Sequence, residues 1–100
     1  MTVNRLTVPV LIVGGGPVGM VLGMQLDAWG VPCLLVNTEE RVRWHPKGNT
    51  HNARTMEHYR RLGIAGRIRD LGLPPDWPTD VLYFTRFNSH LLARLPMPSD

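Results

Sequence analysis

An uncharged run extends from Val8 to Leu26, and Gly14-Gly15-Gly16-Pro17 cuts it in the middle. The run is long enough for a membrane span or a secretory signal, but each needs an unbroken apolar helix, and the amino-terminal flank carries only Arg5. The break instead divides the run into a strand, a tight turn and a buried helix. Leu6 to Val13 is rich in Val, Leu and Ile, with Pro9 near its start where a missing N–H is tolerated, which predicts a buried strand ending at Gly14. Pro17 falls in the first turn of the helix, where its fixed φ is preorganised and its absent donor is no loss. That helix is expected to reach about Trp29, with Gly30 as a left-handed stop, and Val31 to Val36 forms a second apolar strand. The order is that of a right-handed βαβ unit with parallel strands, over about residues 6–37.

Within this unit Gly14, Gly16 and Gly19 satisfy G-x-G-x-x-G. Alone the pattern is weak; following a strand and opening a helix, with a second strand on schedule, it is the signature of a dinucleotide site. Gly14 permits the tight turn, Gly16 lets a pyrophosphate approach the backbone, and Gly19 lets helix and strand pack closely, with Gly23 extending the small face. The free N–H groups of Val18 and Gly19 and the positive dipole end that begins at Pro17 then favour an anion. No Gly-Lys-Ser/Thr follows, which excludes a P-loop ATPase. The ribose-binding acid expected at the end of the second strand is replaced by Asn37, followed by Thr38. An amide both accepts and donates, so ribose binding survives in weaker form, while the lost charge also admits a 2′-phosphate near Arg41 and Arg43. An NADP site stays open at this point.

Downstream, residues 37–50 have loop chemistry. A helical segment over about 52–72 starts with Asn52 as cap, places Ala53, Met56, Tyr59 and Leu62 on one face, breaks at Gly63 and closes with a short helix ending at Gly72. After the proline-rich connection, Asp80 to Arg86 and His90 to Arg94 predict a β-hairpin within about 80–95, turning at Asn88-Ser89. The fold class is α/β, the amino-terminal part of a Rossmann-type domain. At 100 residues the chain is short for a doubly wound fold with a substrate site, so an incomplete domain is expected.

Charge and composition narrow the partners. Eight of eleven basic residues lie between Arg41 and Arg69, where Glu57 is the only acid, a field suited to phosphate. No aromatic interleaving or recognition motif accompanies them, so nucleic acid is not expected. Cys33 is the only cysteine and reads as a strand residue, which fits a reducing cytoplasm. His45, His51, His58 and His90 lack metal-ligand spacing, so no metal site is assigned. Met20, Met24 and Met56 read as core. Nothing in the sequence sets an oligomeric state.

The stretches Val10 to Gly19, His45 to Glu57 (His-Pro-Lys-Gly-Asn-Thr-His-Asn-Ala-Arg-Thr-Met-Glu) and Arg61-Leu62-Gly63 resemble the amino-terminal FAD-binding region of the aromatic-ring hydroxylases, single-component flavoprotein monooxygenases similar to phenol and hydroxybenzoate hydroxylases. The likeness covers most of residues 8–72. It implies FAD as cofactor, NADH or NADPH as co-substrate, and dioxygen and a small aromatic ring as the other reactants. It also implies that Lys47-Gly48 stands where the family has an arginine reaching the FAD phosphates; lysine keeps the charge but makes a point contact. Asn37 departs from the family's common glutamate. The cofactor-binding set is thus Gly14, Gly16, Pro17, Val18, Gly19, Asn37, Thr38 and Lys47, with no catalytic residue in this segment, which alone is expected to be inactive. His45, His51, Arg54 and Thr55 are weaker candidates for contact with the cofactor. An NADP-binding reductase domain and a noncatalytic nucleotide-binding remnant are the alternatives.

Overall fold

The computed structural model describes residues 5–48 and 50–97; Asn49 of the predicted loop and the chain from residue 98 lie outside the described residues. The elements are β1 (Val10–Val13), α1 (Pro17–Ala28), β2 (Cys33–Val36), α2 (Ala53–Arg61), α3 (Ala65–Asp70), β3 (Val81–Phe84) and β4 (Leu91–Leu95). They fall into two compact units, one through Gly63 and one from Ile64.

In the first unit β1 and β2 are parallel, in register from Val10 opposite Cys33 to Val13 opposite Val36. Both strands are shorter than their apolar runs. Each begins immediately after a proline, Pro9 and Pro32, because neither residue has an N–H to enter the ladder. Helix α1 packs against both strands. Its close fit is made by glycine: a Cβ on Gly19 would lie 3.3 Å from Ile12 Cγ2, and Ile12 is buried. Burial of a side chain this size contributes about 1.5–3 kcal/mol. The helix ends in a Schellman motif, with Gly30 at φ +70°, its N–H donating to Asp27 O at 2.9 Å and Val31 N–H donating to Leu26 O at 2.8 Å.

Helix α2 is capped by Asn52, whose Oδ1 accepts from Thr55 N–H at 2.8 Å and from Thr55 Oγ1 at 2.9 Å. Met56 and Tyr59 form its buried face, and Gly63 leaves the helix at φ +74°. Met20 and Met24, expected in the core with Met56, are 50% and 40% exposed. The cause is that α1 is apolar nearly all round, whereas only one side of it lies on the two strands.

In the second unit β3 and β4 are antiparallel, with a register shift between Tyr83 and Phe84 that places Phe84 opposite Leu91. Asp80 anchors the open end: Oδ1 accepts from Met97 N–H at 3.1 Å, and Oδ2 accepts from the Arg94 guanidinium. The Met97 amide, then Arg94, hold its carboxyl below the usual carboxylate range. Among the described residues no helix is long and apolar enough to cross a membrane.

A carboxyl with a lowered folded-state pKa contributes stability above its ordinary pKa and loses it as pH falls through the lowered one. Amide hydrogen exchange should therefore show Met97 protected at neutral pH, with its protection factor dropping below the normal aspartate range. Asp80→Asn should flatten that pH dependence; a Met97 protection factor indifferent to both changes would contradict the anchor.

Candidate cofactor-binding site

The glycine turn between β1 and α1 is built by a sequence of committed amides. Gly14 takes φ +117°, a conformation side-chain-bearing residues rarely adopt, and its N–H donates to Val36 O at 2.8 Å. Gly15 N–H donates to Asn37 Oδ1 at 3.1 Å. Met20 N–H makes the first helical bond, to Gly16 O at 3.0 Å. Pro17 has no N–H. Among the described residues the amides of Gly16, Val18 and Gly19 have no acceptor, and they sit at the positive end of a twelve-residue helix.

The three motif glycines do different work. Gly16 has an ordinary extended conformation at φ −76°, and a Cβ on it would meet nothing within 4 Å, so its lack of a side chain leaves open space beside the free amides. A Cβ on Gly19 would lie 2.1 Å from Gly14 O and 3.3 Å from Ile12 Cγ2, so only glycine lets the helix start this close to the turn. Two apolar clefts adjoin the turn. One, of about 350 Å³, is lined by Pro17, Val18, Val21, His51, Thr55, His58 and Tyr59, so that the candidates His51 and Thr55 border it. The other, of about 480 Å³, runs over Leu11, Val13, Gly14, Gly16 and Leu22. Unpartnered amides beside apolar walls and open space fit a diphosphate carrying larger apolar groups.

Asn37 lies at the carboxyl end of β2, against the turn, and its Nδ2 donates to Glu39 O at 2.8 Å. Thr38 occupies the exposed bend that follows. Lys47 is exposed in the loop, where its charge helps to hold the Glu39 carboxyl below its ordinary pKa. The larger cause is Arg43, whose Nε donates to both Glu39 oxygens at 2.8 and 2.9 Å. Arg54 donates to Glu57 at 2.7 Å, and Thr55 is held by its cap. These bonds give both residues local structural tasks. His51 Nδ1 lies 3.2 Å from Tyr59 Oη with the rings edge-on at 5.5 Å, tying the loop to α2. Neither this pair nor the Asn37–Gly15 bond is foreseen by residue spacing, since both join positions with no helical or strand periodicity between them. Among the described residues no three His, Cys, Asp or Glu side chains cluster as metal ligands.

A βαβ unit with this turn defines a nucleotide-binding protein of Rossmann type. The FAD binding domain family matches residues 7–99, and the chain belongs to that family. It is 39% identical over 74 residues to an FAD-dependent monooxygenase, apdD, of Emericella nidulans, covering 74% of this chain and 12% of that protein. It is 32% identical over 91 residues to 3-(3-hydroxy-phenyl)propionate/3-hydroxycinnamic acid hydroxylase of Mycolicibacterium smegmatis, covering 91% and 16%. Its fold superposes on the rebeccamycin biosynthetic enzyme RebC with reduced flavin at a TM-score of 0.80 and 40% identity, covering 92% of this chain and 18% of that one. The chain therefore spans less than a fifth of the length of the proteins it matches.

Gly19→Ala should destabilise the protein by about 1–3 kcal/mol, because the obstructing atom is a backbone oxygen that cannot swing aside. Gly16→Ala, entering open space, should stay within about 1 kcal/mol of the parent. Denaturant unfolding of the two variants checks the order, and equal losses would refute the distinct tasks assigned to the two glycines.

Proposed function

We propose that this segment is the amino-terminal part of a larger FAD-binding domain, in a monooxygenase that takes electrons from NADH or NADPH and hydroxylates a small aromatic substrate with dioxygen. The observation that carries the reading is the trio of acceptor-free amides at Gly16, Val18 and Gly19 beside the open space at Gly16, in a chain of the FAD binding domain family. FAD, when bound, supplies the chemistry of oxygen activation. The residues of this chain bind and orient it. Gly14 turns the backbone, Pro17 presets the helix, the three amides donate to the diphosphate, and Lys47 adds a positive charge from the loop. The aromatic substrate class follows from the resemblance and from relatives such as the hydroxyphenylpropionate hydroxylase. Cys33, the only cysteine, suits a reducing cytoplasm.

Of the two arginines that the NADP-reductase alternative invokes, Arg41 has no ion-pair partner among the described residues but Arg43 does. That guanidinium is engaged by Glu39, so it is not a free partner for a 2′-phosphate. The family match also points to FAD.

The intact protein should purify with flavin absorbance, and Gly16→Val should weaken FAD binding by more than about tenfold, the worth of one or two amide-to-phosphate bonds. Fluorescence titration of the apoprotein with FAD measures this. Parental affinity in Gly16→Val would remove the diphosphate from this turn.

A further inference from the structure

We infer that Asn37 is a positioning residue for the cofactor, a lock that holds the glycine turn in shape through bonds within the chain. The inference rests on the FAD reading above and concerns how that site is built. Each polar atom of the side chain already makes one bond within the chain: Oδ1 accepts from Gly15 N–H at 3.1 Å, and Nδ2 donates to Glu39 O at 2.8 Å. The contact is close as well as polar, since a Cβ on Gly15 would lie 3.0 Å from Asn37 Cγ and 3.2 Å from Nδ2.

Consecutive residues at the end of β2 thereby hold consecutive amides just past β1. Val36 O takes Gly14 N–H and the Asn37 side chain takes Gly15 N–H, which carries the pairing one residue past the parallel ladder. The next amides, at Gly16, Val18 and Gly19, are the ones left without acceptors. With Gly15 free, the turn would be fixed only on one side of Gly14, whose φ of +117° lies where glycine is most permissive. An amide makes both of these bonds at once. A carboxylate would accept from Gly15 but has no proton for the Glu39 carbonyl, and it would set a negative charge beside the diphosphate.

The test measures affinities of the intact apoprotein for FAD, ADP and 2′,3′-dideoxy-ADP by calorimetry, in the parent, Asn37→Ala and Asn37→Asp. Loss of the lock should weaken all three ligands alike in Asn37→Ala, by about three- to tenfold, the worth of one hydrogen bond. Asn37→Asp should bind none of them more tightly than the parent does. In the ligand-free protein, exchange of the Gly15 amide should accelerate in Asn37→Ala. A loss confined to the ligands that carry ribose hydroxyls, a gain in Asn37→Asp, or unchanged affinities throughout would overturn the assignment. A parent protein that binds FAD but shows one of those patterns refutes only the role of Asn37; one that binds none of the three ligands refutes the FAD site itself.

Discussion

The structure of the first unit depends on how closely the start of α1 approaches the turn that precedes it. A Cβ on Gly19 would fall 2.1 Å from Gly14 O, a distance no side chain can accept. That approach seats the helix over Ile12 and aligns its first amides beside the carboxyl end of β1. A larger residue would move the helix off the strand, and the buried contact and the free amides would be displaced together. Stability and the placing of those amides thus draw on the same short distance, which is why the glycine pattern is more constrained than its conformational angles alone require. Of the three motif glycines only Gly14 has a positive φ.

The second strand contributes through its end more than through its length. Four ladder positions pair β1 with β2, and the polar contacts that shape the turn come after the last of them, from Val36 O and the Asn37 side chain. Much of the remaining apolar surface of the unit is uncovered. Leu11 and Val13 of β1 and Val18 and Leu22 of α1 are exposed, a pattern that suits elements with neighbours on both sides in a doubly wound fold. The chain spans less than a fifth of RebC, to which it is nonetheless 40% identical.

What could be read in the sequence follows from the range of the forces involved. The strand-turn-helix-strand order, the Gly30 stop and the Asn52 cap are local, and each was legible because a proline, a glycine or a capping side chain acts within a few residues of itself. The exposure of Met20 and Met24 was not, because apolar character reports which faces want cover and not which faces receive it. The strands were overextended for a related reason: hydrophobic runs continue through Pro9 and Pro32, whereas the hydrogen-bonded ladder cannot. The side-chain bond of Asn37 to Gly15 spans 22 residues and has no sequence signature. Residue type suggested a ribose contact there, and only the fold shows the amide already engaged.

The electrostatics of the site also differ from a count of charges. The basic stretch from Arg41 to Arg69 suggests a broad field for phosphate, yet Arg43 is committed to Glu39 and Arg54 to Glu57, each pair on the surface where water screens it. Paired in this way, those two arginines add little net potential at the turn. The positive groups at the turn itself that no neighbouring side chain neutralises are the amides and dipole end of α1, with Lys47 exposed in the following loop. Such a source is short-ranged and directional. It selects a ligand that can come close to the backbone, and the bare Gly16 is what makes that proximity available.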